Sequence, residues 1–408
     1  VPELGTPQAI LAMLHGDNQS IAGGLVLSEK TSRFFSQNLP GAYGLIPTRR
    51  FFEKNPMTVV SDMFSGRQNQ SASSYESLKN FLTKGSFSKA STTDINIPLT
   101  LNSYLLSLND SFHSLMDSWK PASGTKTLSI FGWGVPTSKS VAYEKDAHCA
   151  PVSRNCNLSM FRTITSAGDG TVMTAASSGL SDQTLYLDMK KVMQDGRRDI
   201  KHADIMESPQ LQDLLKETIT QMDETDDRKR YFSATEPIDT DKWLYIRAYS
   251  PIDVHVYDKE GNHTGIIDDP LGGEDHEAGI PSSVYDGWGR TKQIIIPYGP
   301  EYEILLEGTD SGAFTIRAEV MQSDKVLASA SFSELQATPT MKAEISLGTS
   351  TASFASTTMM YIDADGDGTS ETLHNSDQFL ESNRRDRKFH KKFKKVLKKI
   401  FHRHSKRR

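Results

Sequence analysis

The chain has 408 residues, with 46 basic and 51 acidic side chains and a formal net charge of −5. Residues 384–408 hold 14 of the bases and one acid, a local charge of +13, so the rest of the chain carries −18 from 32 bases and 50 acids. This length predicts two or three domains. The longest uncharged stretch, residues 345–362, is rich in Ser, Thr and Gly, which excludes it as a membrane-spanning helix.

Residues 1–227 mix helix-like and strand-like runs and are predicted to form an α/β region. Ala9–Leu14 has the pattern of an amphipathic helix, whereas residues 18–125 lack regular periodicity and are predicted to be an insertion of loops and helices. Leu128–Trp133 is a short apolar run ended by Gly134, as expected for a buried strand.

The end of this region holds the clearest helix signal. Ser208–Met222 begins with a Ser cap and a Pro at the first helical position, and its apolar residues recur every three or four positions. A strand is predicted before it, at Thr184–Asp188. The charge-rich segment Asp223–Arg230 is predicted to be a solvated linker.

Short β-rich runs separated by turn residues follow the linker, and their regular spacing predicts an all-β antiparallel sandwich over residues 232–348. These runs are Trp243–Ala248, Val254–Tyr257, Gln293–Ile296, Tyr302–Leu306, Ala313–Val320 and Met341–Leu347. No motif in them indicates a ligand. Trp288 is a candidate for stacking on a sugar, and the domain is interpreted as a spacer or adhesion module.

Two segments suggest hydrolytic chemistry. Gly168-Asp169-Gly170-Thr171-Val172 presents an acid from a tight turn, and His202 follows 33 residues later, just before the helix at Ser208. An acid on a loop, a strand, a His on a loop and a final helix is the order found in the second half of an α/β-hydrolase. There the carboxylate orients an imidazole that takes a proton from a serine, so Asp169 and His202 are predicted to be catalytic.

The order of several motifs carries a family resemblance. Gly5-Thr6-Pro7, the segment 38–47 (NLPGAYGLIP), the segment 132–137 (GWGVPT), the Asp169 turn and the His202 segment together resemble lecithin:cholesterol acyltransferase-like proteins of the lipase-type α/β-hydrolase family. The resemblance covers residues 1–225. It implies the C-terminal half of an α/β-hydrolase domain with a cap insertion at about 18–125. It also implies an O-acyltransferase or carboxylic ester hydrolase that acts on lipid-like esters through an acyl-serine.

The nucleophile is missing from this pattern, because no G-x-S-x-G occurs in the chain. The serine and the oxyanion hole are expected upstream of Val1, and the chain is interpreted as a fragment or a processed product that is inactive alone. No cofactor is expected for catalysis. A serine hydrolase that acts on amides stays open.

Asp363, Asp365, Asp367 and Gly368 match the first half of a D-x-D-x-D-G calcium loop at residues 363–371. Position twelve, which supplies a Glu in an EF-hand, is His374, so a looser structural Ca²⁺ site completed by Glu371 is predicted. An acidic surface turn that binds nothing is the alternative.

The basic tail, residues 384–408, has an apolar stripe formed by Phe389, Phe393, Val396, Leu397, Ile400 and Phe401. On a helix these residues cover one face and Lys or Arg cover most of the rest, as in interfacial helices that lie on anionic membranes or cell envelopes. A nucleic-acid arm does not need such a stripe, so a membrane-binding tail is favoured. The predicted location is therefore extracellular or at the cell surface.

Two alternatives remain at this stage. The two cysteines, Cys149 and Cys156, are either reduced thiols or a disulfide that closes a short loop in an oxidising compartment. The chain as a whole is either part of a lipid esterase or acyltransferase, or a non-catalytic surface-binding or adhesion protein of bacterial type that uses the sandwich and the tail.

Overall fold

A computed structural model describes residues 3–381, apart from 18, 22–24, 63–70, 86–88, 118–119, 146–157, 177–180, 197–199, 221–225, 269–273, 289, 300, 349 and 377. The chain divides into two compact units, the first ending at Asp241 and the second beginning at Lys242. The first contains helices and mixed sheets, and the second consists mostly of antiparallel strands. No helix among the described residues has the length and apolar character needed to cross a membrane.

The first unit begins with helices and short strands, which are α1 (Pro7–Leu14), β1 (Gln19–Ile21), β2 (Leu25–Leu27), α2 (Glu29–Asn38), α3 (Pro40–Tyr43), α4 (Arg49–Lys54), β3 (Val60–Asp62), α5 (Tyr75–Lys84) and α6 (Ser103–Asp117). The helix predicted at Ala9–Leu14 is confirmed as α1. It starts at a proline and buries most of its side chains.

The rest of the unit contains β4 (Leu128–Trp133), β5 (Thr137–Lys145), β6 (Leu158–Thr165), β7 (Gln183–Asp188), α7 (Met189–Gly196), α8 (Pro209–Thr220), α9 (Asp226–Tyr231) and β8 (Phe232–Ser233). The predicted strands β4 and β7 are confirmed and pair in parallel, with β8 antiparallel to β7. A second small sheet has the order β3-β5-β6, with β3 parallel to β5. The α8 helix is also confirmed, since Ser208 Oγ accepts a hydrogen bond from the Leu211 amide as an N-cap does.

Apolar side chains from α7, α8 and α9 cover the β4-β7-β8 sheet. One cluster is built around Leu187, Met189 and Val192, and another joins Leu185 of β7 to Leu211 and Leu214 of α8. The solvated linker predicted at Asp223–Arg230 is wrong where it is described, because α9 starts at Asp226. The helix ends at Tyr231, whose ring is buried in the first cluster.

The second unit contains β9 (Lys242–Tyr249), β10 (Ile252–Tyr257), β11 (His263–Asp268), β12 (Glu274–Ala278), β13 (Val284–Trp288), β14 (Thr291–Pro297), β15 (Glu303–Gly308), β16 (Gly312–Gln322), β17 (Lys325–Ala337), β18 (Lys342–Ser346), α10 (Phe354–Thr357), β19 (Met359–Asp363), β20 (Thr372–Asn375) and β21 (Gln378–Glu381). They form an eight-stranded sheet, β12-β11-β10-β15-β18-β19-β20-β21, and a five-stranded sheet, β13-β14-β9-β16-β17. All pairings in both sheets are antiparallel.

Successive side chains of a strand point to opposite faces of its sheet, and one apolar face of each sheet packs in a shared core. This core contains Ile246, Val254, Ile294, Ile316 and Ile345. The strand arrangement continues past the expected end at residue 348, since β19 to β21 extend the larger sheet. Trp288 is only 2% exposed, so the idea that it stacks on a sugar is wrong: it is a core side chain.

Candidate functional site

The loop that follows β6 is shaped by two glycines and by Thr137. A side chain at Gly168 would lie 2.4 Å from Thr137 Oγ1, and Gly170 has a φ of +94°. The Gly170 amide donates to Thr137 Oγ1 at 2.8 Å, and Thr137 Oγ1 donates to the Val135 carbonyl. Only residues without Cβ fit both positions, which explains the glycines on either side of Asp169.

Asp169 is held from several directions. Its Oδ1 accepts hydrogen bonds from the amides of Thr171 at 3.1 Å and Val172 at 2.8 Å, and its Oδ2 lies 2.7 Å from Nδ1 of His202. The carboxylate is almost buried, with 9% of the side chain exposed. The two amides fix the plane of the carboxylate, and this leaves one oxygen for the imidazole.

His202 is the first residue of a short 3-10 helix, His202–Glu207, which leads into α8. Because a carboxylate only accepts, Nδ1 of His202 donates, and the neutral ring then has its lone pair on Nε2. The hydrogen bond that His202 donates to Asp169 raises the pKa of His202, and partial burial of the ring opposes this rise. With 37% of the side chain exposed, the imidazole is positioned to exchange a proton with a group outside the pair.

Gly132, in β4, allows the close approach behind this pair. A Cβ at this position would lie 2.8 Å from Cβ of Asp169 and 2.4 Å from Sδ of Met189. We name the loop that carries Asp169, residues 166–173, the acid loop. The strand β4, the acid loop and α7 therefore meet at a residue that has no side chain. Nothing in the sequence around Gly132 indicated this role beyond its place in the segment 132–137.

The segment before the second unit ties down the acid loop. Glu236 accepts from Thr174 Oγ1 at 2.6 Å. Asp239 accepts from Thr165 Oγ1 at 2.6 Å and from the Ser166 amide at 3.0 Å. We name residues 236–241 the strap. It belongs to the first unit although the sequence placed the boundary at residue 227.

The other motifs of the resemblance lie beside the same loop. Thr6 Oγ1 donates to the Thr171 carbonyl at 2.9 Å, and the Thr6 amide donates to the Leu45 carbonyl at 2.8 Å. The Val135 amide donates to the Gly168 carbonyl at 3.2 Å. Segments that are more than 100 residues apart in sequence are thus joined by hydrogen bonds around Asp169.

The insertion expected at 18–125 contains an unusual helix. α6 buries the polar side chains of Asn109 and His113 and exposes Tyr104, Phe112 and Leu115. Asn109 packs near α3, and Nε2 of His113 lies 3.0 Å from the Gly44 carbonyl oxygen. The two aromatic pairs of this region differ: Phe34 and Phe35 are exposed, whereas Phe51 and Phe52 are buried.

A second cluster of predicted site residues lies in the turn between β19 and β20. One carboxylate oxygen each of Asp363, Asp365, Asp367 and Glu371 lies within 4.8 Å of the others. This acidic cluster can hold a metal ion. The Asp363 carboxylate accepts from the amides of Gly366 and Gly368, both at 2.7 Å, which folds the turn around the carboxylates.

Burial raises the pKa of Asp363, the hydrogen bonds from Gly368 and Gly366 lower it, and the nearby Glu371 and Asp367 raise it further. His374, position twelve of the loop, lies in β20 opposite Met360. The turn therefore joins two strands, unlike the two helices of an EF-hand. Its donor set consists of carboxylates, which suits a hard cation.

Some predicted residues lie outside the part of the chain that the structure describes. These are Cys149 and Cys156, and the tail residues Phe389, Phe393, Val396, Leu397, Ile400 and Phe401. The disulfide and the membrane-binding helix stay predictions.

One cluster of titratable groups was missed by the sequence analysis. His255, His263 and Glu277 lie on three neighbouring strands, β10, β11 and β12, and are hydrogen-bonded in series. No short motif could reveal it, because strand register brings these residues together.

No family model matches the chain, and a search of curated proteins gives no match.

Proposed function

We propose that this chain supplies the acid and the base of a serine esterase (lipase) or O-acyltransferase that acts on lipid-like esters. The observation that carries the proposal is the hydrogen bond of 2.7 Å between Oδ2 of Asp169 and Nδ1 of His202. In this role the carboxylate fixes the tautomer of the imidazole and stabilises its charged form. Nε2 of His202 takes the proton of a serine as that serine attacks the ester carbonyl.

Proton transfer back from His202 completes the first half of the reaction. The imidazolium protonates the leaving alcohol, and an acyl-serine remains. Water or a second alcohol then gives up a proton to the same imidazole and takes the acyl group. The choice between these acceptors separates a hydrolase from an acyltransferase.

The proposal needs a serine from outside the 408 residues, since no G-x-S-x-G occurs within them. The Gly5-Thr6-Pro7 segment, which follows the nucleophile in proteins that the chain resembles, is hydrogen-bonded to the acid loop through Thr6.

The exposed apolar face of α6 supports an ester with long acyl chains. Tyr104, Leu108, Phe112 and Leu115 are 45–70% exposed, and they lie on one side of the helix because their spacing is four, four and three residues. Contiguous exposed apolar side chains mark binding surfaces for apolar ligands. In this proposal the insertion acts as a cap that gathers the acyl chain.

A test of the proposal uses the protein expressed from its complete reading frame. A fluorophosphonate probe should label one serine, and hydrolysis of p-nitrophenyl esters should be lost when His202 is changed to Ala. The reason is that an unassisted serine hydroxyl is a poor nucleophile at neutral pH.

His276→Ala is the matched control, because it changes a histidine of the second unit that stacks on Tyr285. It should keep wild-type turnover. If His202→Ala keeps turnover, or if no serine is labelled, the proposal is wrong and a binding role for the protein takes its place.

We also propose that the acidic cluster binds Ca²⁺ as a structural ion. Three carboxylates at alternate positions and a fourth at Glu371 provide hard oxygen donors. Burial, and to a smaller extent the neighbouring Glu371 and Asp367, raises the pKa of Asp363, and a bound cation would favour its charged form. Isothermal titration should show binding of one Ca²⁺ at micromolar to millimolar concentrations.

Asp365→Ala should abolish the heat of binding, whereas Asp310→Ala, which changes an exposed acid in another turn, should leave it unchanged. Protons compete for the carboxylates, so affinity should also fall as the pH is lowered. Wild-type protein that gives no heat up to millimolar Ca²⁺ contradicts the site.

A further inference from the structure

The groups concerned lie on the outer face of the eight-stranded sheet, in the three strands at one of its ends. In β10, Val254 and Val256 point into the sandwich core, and the alternating residues His255 and Tyr257 point the other way. His263 is in β11 and Glu277 in β12, the terminal strand.

Gly265 makes the cluster possible. It pairs directly with His255 on one side and with Glu277 on the other. A Cβ at this position would lie 2.7 Å from Nε2 of His263, so the imidazole of His263 lies over the glycine. The ring of Tyr257 stacks on that of His263, with the ring centres 4.7 Å apart.

The hydrogen bonds run in series across the three strands. Nδ1 of His255 lies 3.1 Å from Nε2 of His263, and Nδ1 of His263 lies 2.8 Å from Oε1 of Glu277. The carboxylate only accepts, so Nδ1 of His263 donates to it. In the neutral state Nε2 of His263 then accepts a hydrogen bond from Nδ1 of His255, and both hydrogen bonds of the series are made.

The series also accommodates one added proton. The His263 imidazolium donates from both nitrogens, to Glu277 and to Nδ1 of His255, whose own proton then resides on Nε2. A second added proton cannot be accommodated without loss of a hydrogen bond in the series. Both facing nitrogens would carry hydrogens at 3.1 Å, and two positive rings would adjoin with the hydrogen bond between them lost.

We propose that His255, His263 and Glu277 form an acid-sensitive latch, which holds the β11–β12 hairpin on the sheet and releases it when both imidazoles are protonated. The latch is independent of the esterase proposal, because it lies in the second unit and uses none of the same residues. The latch acts at the edge of the eight-stranded sheet, where the outermost strand, β12, has only β11 as a neighbour in the sheet.

Other charged groups act on His255 of the latch. Asp253 of β10 and Glu307 of β15 favour a charged His255, and Lys292 of β14, which pairs with Asp253, disfavours it. Burial and then the neighbouring His263 outweigh the two acids and lower the pKa of His255 from 6.5.

The lowered pKa of His255 determines how the stability of the hairpin depends on pH. A histidine whose pKa is lower in the folded state takes up its proton more readily when the hairpin opens. The stabilisation is therefore complete above pH 6.5 and is lost progressively as the pH falls below it.

Hydrogen exchange on the 408-residue chain tests the latch. Protection factors for the amides of Thr264–Ile267 are compared at pH 7 and pH 5, with intrinsic exchange rates removed and a chelator present. Because the opened His255 takes up its proton at the ordinary pKa of 6.5, protection should fall between these pH values, by at most about 25-fold.

Two variants sharpen the test. His255→Gln keeps an amide donor for Nε2 of His263 but cannot be protonated, so its protection should change less than threefold. His276→Gln removes a histidine of β12 that stacks on Tyr285, and it should keep the wild-type loss. Protection that does not fall in the wild type, or that falls equally in His255→Gln, overturns the latch.

A direct titration covers the case in which His255→Gln fails to fold. In uniformly ¹⁵N-labelled wild-type protein, the ring of His255 should accept a proton only together with the loss of native signals from the amides of Thr264–Ile267. Protonation of both His255 and His263 with those signals intact would falsify the proposal.

Discussion

Each of the two units contains a carboxylate that is hydrogen-bonded to a histidine, and the two hydrogen bonds have nearly the same length. The distance is 2.7 Å from Asp169 to His202 and 2.8 Å from Glu277 to His263. In both, the carboxylate fixes Nδ1 as the donor. They differ in what Nε2 of the imidazole faces. The His202 side chain is 37% exposed. In His263, by contrast, Nε2 faces the imidazole of His255, whose Nδ1 is 3.1 Å away.

The carboxylate alone therefore does not define the role of such a pair. A base for catalysis needs a second nitrogen that reaches an external proton donor. The His263 ring has only 10% of its side chain exposed and uses its second nitrogen within the protein, so proton uptake there changes internal hydrogen bonds. In the two proposals, a carboxylate–histidine pair thus serves chemistry in one unit and stability in the other.

The largest expected effect comes from changing each carboxylate to its amide. Asp169→Asn should lower turnover of the protein from the complete reading frame by about 10⁴-fold, because the amide can hold the imidazole in the wrong tautomer. The same change should bring the pKa of His202 down toward 6.5, measured by NMR titration.

Glu277→Gln is the matched change in the second unit. It should leave turnover and the pKa of His202 unaltered and should lower the protection of the β11–β12 hairpin. Equal losses of turnover in both variants contradict the separation of roles.

A smaller effect is expected from the glycine beside each pair. Gly132→Ala places a methyl group 2.8 Å from Cβ of Asp169, and a displaced carboxylate should cost about 100-fold in turnover. Gly265→Ala places one 2.7 Å from both Nε2 of His263 and the Val254 carbonyl oxygen. It should lower the free energy of unfolding by about 1–3 kcal/mol, measured by urea denaturation.

Gly196→Ala is the control for both changes, since a Cβ there meets no atom within 4 Å. Its turnover and its free energy of unfolding should stay near the wild-type values. A Gly132→Ala variant with normal turnover would show that the acid loop does not depend on the close packing against β4.

The sequence predicted those parts of the structure that local patterns determine. The strands β4, β7 and β10 were found because apolar residues dominate or alternate in them, and α8 because a Ser cap and a proline precede its apolar stripe. Asp169 and His202 were found because their spacing and order carry chemical meaning, and the structure brings them together.

Other parts depend on long-range pairing and could not be predicted. β12 has the sequence EDHEA, whose charges disfavour a strand, but it pairs along its whole length with β11 at the end of the sheet. The His255–His263–Glu277 series required the register of three strands and a glycine between them. The role of Gly132 required knowledge of which loop packs on β4.

The strap has a practical consequence for dividing the protein. A shortened protein that ends at residue 227, as composition suggests, would lose Asp239 and Glu236 and with them the bonds to Thr165, Ser166 and Thr174. Ending it at Asp241 retains these bonds and also the contacts of Asp241 with Ser166 and Lys190. Engineers who want the first unit alone should therefore cut after Asp241, because fourteen more residues of apparently dispensable sequence hold the acid loop in place.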